Sequence, residues 1–243
     1  MTSRISRVLV AAVATTLAAG SLGCGLINQA KDIVGTAQVL SDFADRLGKA
    51  SKLTYTAEYK TSSGDKVTMV QQPPNSAFLG KSGRFIFTAD SMYLCSTEQK
   101  ALTCQKSPIQ GANAGAANAG LVAGVTGPGF ITPELALGLI AAAAFVPGAK
   151  VEQSEKTIAG EDSLCATASG LEAAASPGDK DAPKDFSVCV TEAGILASFS
   201  GTSTTGEKVS IELTKYSTSA DASAFEPPAG AKIVDVTQIQ PSS

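Results

Sequence analysis

The stretch Leu53-Thr54-Tyr55-Thr56-Ala57-Glu58-Tyr59-Lys60 sets the fold class, because its apolar and polar residues alternate strictly. A period of two places Leu53, Tyr55, Ala57 and Tyr59 on one side and the polar residues on the other, which predicts a strand with one face buried. Upstream the period is different. Ile27, Ala30, Ile33, Val34, Ala37, Leu40, Phe43, Ala44 and Leu47 recur in steps of three and four, predicting one apolar stripe on a helix over 27–47, with Gly48 as its stop. Its polar side is not notably basic, which favours packing on its own domain over lying in a membrane surface.

Downstream the strand pattern repeats. Ser62-Ser63-Gly64-Asp65 reads as a turn, 67–72 as a second strand, and Pro73-Pro74-Asn75 as a break. Runs 76–79, 84–89, 92–96 and 102–106 follow, separated by Gly, Ser or Asp, and together they predict an antiparallel meander. Residues 108–129 are mostly Gly, Ala and Asn, a composition that buries little and costs backbone entropy to order, so a mobile loop is expected. Thr132-Pro133-Glu134 then opens a helix with a capping hydroxyl, a first-turn proline and an acid at the positive end. That helix is expected to run to Val146, before Pro147-Gly148, with no charge beyond Glu134. Such a helix must be buried on several sides or face lipid, and at ~20 Å it is too short to cross a hydrocarbon core of ~30 Å. Strand-like runs return at 150–158, 163–167, 186–191, 195–201 and 208–217.

The N-terminus resembles a lipoprotein signal. Arg4 and Arg7 precede a short apolar run, Val8 to Ala19, and Ser21-Leu22-Gly23 places small residues before Cys24, like a lipobox. The resemblance implies cleavage after Gly23, a diacylglycerol on Cys24, and a single domain over 24–243 held at the extracytoplasmic side of the cell membrane. Two small domains, or a plain secretion signal with an incidental cysteine, are the other readings; a transmembrane helix needs about 20 apolar residues, which the run lacks. Two acyl chains anchor stably where one is marginal. Gly25 after the cysteine leaves no acidic retention signal at that position.

Composition narrows the function. Without the leader, 17 basic side chains face 22 acidic ones, a net charge near −5 with no basic cluster, which argues against a nucleic-acid surface. The chain has no histidine, so the commonest general base and metal ligand are missing. No GxSxG elbow, Walker loop or metal-binding spacing is present, so neither a cofactor nor a metal is called for and catalytic residues are expected to be absent. A carboxylate pair assembled by folding is the one enzymatic route left open. Four cysteines follow Cys24, and in an exported chain they read as disulfides. Spacing favours Cys95 with Cys104 across the polar turn 96–100, and Cys165 with Cys189 across a polar loop, each constraining the unfolded chain by roughly 3 kcal/mol. Redox or zinc chemistry is the competing role, without CxxC spacing to support it.

The ordering of helix, Leu53 to Tyr59 strand and meander, closed by Phe225-Glu226-Pro227-Pro228-Ala229-Gly230-Ala231-Lys232-Ile233-Val234, resembles the LolA/LolB-like lipoprotein carriers, and in style the actinobacterial lipoproteins of the LppX and LprG type. The resemblance implies an α+β fold: a single strongly curved antiparallel sheet, an open half-barrel, with helices packed on its concave side and a lipid or acylated ligand between them. It transfers no catalytic residues and names no protein partner. The paired cysteines and the long Gly/Ala-rich stretch depart from the group's pattern. On this reading the ligand contacts are Tyr55, Met69, Phe85 and Phe87 on the sheet and Leu135, Leu139, Ile140 and Phe145 on the helix, with ordinary core packing as the alternative for each and the concave face left open. Function is then lipid binding in the service of lipid transport in the envelope, or else that of a structural or protein-interaction lipoprotein without ligand. If Cys24 carries the anchor, Cys24→Ala is expected to move the protein out of the membrane fraction without unfolding it; retention at wild-type level by fractionation would contradict this.

Overall fold

In the computed structural model the described residues are 23–96, 102–108, 131, 133–174 and 182–236, with the side chains of 23–36, 133, 134 and 174 left aside. Most of the expected leader 1–23, the Cys24 side chain, the expected turn 96–100 beyond Ser96, residues 109–130 and the expected cap Thr132 lie outside what is described.

Helix α1 (Gly23–Ala50) leads into six strands in succession: β1 (Tyr55–Thr61), β2 (Lys66–Gln72), β3 (Asn75–Gly80), β4 (Gly83–Phe87), β5 (Ser91–Ser96) and β6 (Thr103–Pro108). Helix α2 (Pro133–Ala143) precedes a second run: β7 (Lys150–Ile158), β8 (Glu161–Ser169), β9 (Pro183–Thr191), β10 (Leu196–Ser203) and β11 (Lys208–Ser217), with β12 (Lys232–Asp235) last. All twelve form one sheet in the order β12-β6-β5-β4-β3-β2-β1-β11-β10-β9-β8-β7. Two antiparallel meanders are thus joined where the first strand of one meets the last of the other. The sheet is open and mixed: β12 pairs with β6 in parallel, which corrects the wholly antiparallel expectation. The cause is the route of the chain. After β11 it crosses the outer face through a 3-10 turn at Ala222–Phe225, capped by the Asp221 carboxylate accepting from the Ser223 N–H at 3.0 Å, and reaches the far edge already pointing along β6.

Strand register gives each face its content. Tyr55, Ala57 and Tyr59 stand opposite Gln71, Met69 and Val67, Met69 opposite Phe78, and Phe78 opposite Phe85. This row lies on the side that α1 and α2 cover, in one core with Val39, Phe43, Ile140, Val188, Ile211 and Leu213. The other face carries a smaller cluster, Val70, Ala77 and Ile86 under Ala224 and Phe225, and a third around the Cys165–Cys189 bridge and Ala197. Cys95 pairs directly with Cys104, and Cys165 with Cys189, at Cα separations of 3.9 and 4.0 Å, so both disulfides staple neighbouring strands on the outer face.

The sheet also curls. Three strands separate β7 from β11, which in a flat sheet would keep them about 19 Å apart at ~4.8 Å per step. Their Cα atoms nevertheless come within 8 Å. Helix α1 is tied to the sheet at its C-terminal end, where the Gln71 amide donates to the carbonyl of Ala50, the last residue of the helix, at 2.6 Å and to that of Leu53, just beyond it, at 3.1 Å. The Arg46 guanidinium donates to the Val190 carbonyl at 3.4 Å. Helix α2 stops at Ala143, three residues before the expected end, as turns carry 144–148 toward Gly148 at φ 81°.

Gly194, at φ 86° in the β9–β10 turn, lies so close beneath the Arg46 carbonyl that any Cβ would collide with it. Gly64 has a similar φ of 84° but open space around it. Gly64→Ala should therefore cost only the left-handed backbone strain, about 1 to 2 kcal/mol, and Gly194→Ala distinctly more because α1 must also shift. Urea midpoints of the two variants compare them directly; equal losses would show that the α1 contact is dispensable.

Candidate functional site: an apolar cavity between α2 and the sheet

Along α2, Ala136, Ile140 and Ala143 are buried, the four- and three-residue steps that aim one stripe inward. This stripe meets α1, β7 and β8. Leu139 is one position off the stripe and half-buried. It forms part of the lining of a cavity of about 280 Å³ together with Phe186 of β9, Phe199 and Gly201 of β10, and Val209 of β11. Register builds the sheet side of that lining. Phe186 pairs with Gly201 and Gly201 with Val209, so a residue without a side chain sits between two that have one. The Phe199 ring closes over that gap, 3.4 Å from where a Gly201 Cβ would stand, and lies 6.4 Å from the Phe186 ring. Pro183, Asp185, Thr202, Ser203 and Glu207 complete the lining. The volume is near the low end of the roughly 300 to 1,000 Å³ usual for small-molecule sites. The apolar side chains of this lining can hold a hydrocarbon chain, with the polar ones available to a head group.

The residues expected from sequence divide into three groups. Tyr55, Met69, Phe85 and Ile140 are buried in the common core, the Tyr55 hydroxyl donating to the Met69 sulfur at 3.3 Å. Phe87 is partly buried beside them, edge-on to Phe85 with ring centroids 4.5 Å apart. All four sheet residues share the helix-covered face. Leu139 alone of the eight lines the cavity. Leu135 is 42% exposed, and Phe145, past the end of α2, is 86% exposed. The eight therefore do not converge on one surface. Phe186, Phe199 and Val209 were missed, although parity held a clue: Phe186 is three residues from Cys189, so the two must face opposite sides of β9.

Nearby in the core, burial first and the adjacent Tyr55 phenol second push the Tyr59 hydroxyl well above its ordinary range, keeping it neutral. Among the described residues there is no cluster of three or more His, Cys, Asp or Glu able to hold a metal ion, and no helix long and apolar enough to cross a membrane.

No protein-family model matches the chain, and no curated protein does. Among solved structures it is similar to an uncharacterized conserved protein from Thermus thermophilus, at a TM-score of 0.45 and 11% identity over 82% of this chain and 99% of that one. It is similar to the Mycobacterium tuberculosis lipoprotein LppX at 0.41 and 12% over 76% and 98%, and to a DUF1329 family protein from Desulfovibrio piger at 0.30 and 10% over 79% and 98%. LppX is one of the lipoproteins named in the sequence resemblance; at these scores the three carry no weight for ligand or activity.

The adjacent positions Leu139 and Ile140 on α2 separate cavity from core. Ile140→Ala is expected to cost about 2 to 5 kcal/mol, as for a packed aliphatic side chain, and Leu139→Ala clearly less, since part of its surface has no protein partner. Denaturant midpoints showing the same loss at both would remove the cavity from this side of α2.

Proposed function

We propose that this chain is a lipoprotein, tethered through a diacylglycerol on Cys24 outside the cytoplasm, that binds the hydrocarbon part of a lipid or other acylated molecule between α2 and the sheet. The observation that carries the reading is the cavity of about 280 Å³ bounded by Leu139, Phe186, Phe199 and Val209. An acyl chain gains about 0.8 kcal/mol per methylene removed from water, so even a segment of chain gives useful affinity without a single hydrogen bond. The curl that brings β7 near β11 supports placing α1 and α2 on the concave side, where a curved sheet wraps a ligand better than a flat one. The exposed Leu135 and Phe145 give α2 and its exit an apolar outer side, suited to contact with a bilayer while a chain passes in or out. Transport of the bound lipid within the envelope follows from such a tethered carrier.

The test is the lipid content of protein purified from its own membrane, read by native mass spectrometry and by extraction, for wild type and Leu139→Phe. A bulkier side chain in a packed core destabilises by about 1 to 3 kcal/mol, whereas in an open cavity it takes the ligand's place. The expected outcome is an unchanged denaturant midpoint with a clear drop in lipid yield. An empty wild-type extract would favour a structural or interaction lipoprotein instead, and lost stability with unchanged lipid would move the ligand elsewhere.

A further inference from the structure

The face turned away from the helices holds a second and larger cavity, of about 630 Å³, where the β1–β2 and β3–β4 turns meet the C-terminal segment. Leu79, Leu102 and Pro228 form apolar walls, and Lys66, Lys81 and Arg84 supply positive charge. Register explains the arrangement. Leu79 stands opposite Arg84, and Arg84 opposite Cys95, so the guanidinium rises between an aliphatic side chain and the Cys95–Cys104 bridge. Arg84 is half-buried, yet among the described residues its side chain makes no hydrogen bond and no ion pair. The stem is covered while the fork of N–H donors stays open to solvent, free of an acceptor among the described residues and available to a ligand. Among the described residues the one carboxylate in the lining, Asp65, is already engaged by the Ser63 hydroxyl at 3.0 Å and the Lys81 ammonium at 3.3 Å. Lys66 reaches Glu58 only at 4.0 Å and is largely exposed. The cavity is therefore cationic at one side and apolar at the other.

We propose that this cavity binds a phosphate ester, its oxyanion taken bidentately by Arg84 with Lys66 beside it and its organic substituent laid against Leu79, Leu102 and Pro228. Arginine suits this because its planar fork matches two phosphate oxygens at once. More than one cation in reach favours a phosphate over a singly charged head, and the apolar walls favour an ester over free phosphate. The ester comes either from a soluble organic phosphate or from a phospholipid headgroup, and the site is independent of the acyl cavity on the opposite face.

Calorimetric titration of the purified full chain with phenyl phosphate, inorganic phosphate and phosphatidylglycerol vesicles, with phosphatidylcholine vesicles as reference, tests it. Phenyl phosphate should bind at least tenfold more tightly than inorganic phosphate. Arg84→Gln should weaken it at least tenfold with an unchanged melting temperature, and Leu102→Glu, which places an anion against the site, should do the same if the first variant proves unstable. Competition by phosphatidylglycerol but not phosphatidylcholine vesicles would assign the source to a lipid head; no competition would assign it to a soluble ester. Absence of phenyl phosphate binding at millimolar concentration, parity with inorganic phosphate, or wild-type affinity in both variants would overturn the proposal.

Discussion

The pairing of β1 with β11 is the constraint on which the rest of the molecule depends. It brings Thr56 against Ser217 and Thr61 against Ile211, residues some 150 or more positions apart, and without it the chain would be two separate meanders, each with a long exposed edge. The joint is reinforced locally. Register slips between Glu58 and Tyr59, a bulge that leaves the Glu58 carbonyl to accept from the Thr214 hydroxyl at 3.0 Å, while the Glu58 carboxylate sits 3.4 Å from the Lys215 ammonium. That ion pair is exposed and adds little by itself. The weight is carried by Tyr55, Tyr59, Ile211 and Leu213 on the opposite face, all essentially buried, each worth roughly 1.5 to 3 kcal/mol of apolar burial.

Once the two meanders are one sheet, its faces take different work. The helix-covered face is filled with aromatic and branched side chains along most of its width, and a cavity opens where Leu139 of α2 shares a lining with Phe186 of β9, Phe199 of β10 and Val209 of β11. The outer face has no α-helix among the described residues. Its strands are held by two cross-strand disulfides and by Phe225, which the capped 3-10 turn lays onto Val70, Ala77 and Ile86. Each disulfide closes a short loop, and constraining the unfolded chain in this way contributes roughly 3 kcal/mol per bridge, comparable to one more large core residue. A large sheet with little cover on one side gains proportionally from such staples.

The chemistry available to the molecule follows from the same division. A wall of Leu139, Phe186, Phe199 and Val209 places no directional demand on whatever occupies it. The outer cavity is the reverse, with Arg84 as a directional, charged anchor and apolar walls as support.

Local pattern was enough to name most elements. The alternation of Leu53 to Lys60 becomes β1, the three- and four-residue steps after Ile27 become α1, and the inward parity of Tyr55, Met69, Phe85 and Phe87 is carried into the sheet, because side-chain period follows from backbone geometry alone. Periodicity says which residues share a side of a strand, but not which strands become neighbours or which side of the sheet is covered. That is why the β1–β11 joint, the parallel β12 edge and the convergence of Phe186, Phe199 and Val209 beneath Leu139 had no local signature. On α2 the limit is the same. Leu135, Leu139, Ile140 and Phe145 are all apolar and look alike in sequence, and only contact with α1, β7 and β8 separates the buried Ile140 from the cavity-lining Leu139 and the exposed Leu135 and Phe145. What the chain by itself determined was a set of strands and helices with apolar faces; what tertiary structure decided was where those apolar faces fall short of one another, since a void exists only between elements that long-range pairing has already placed.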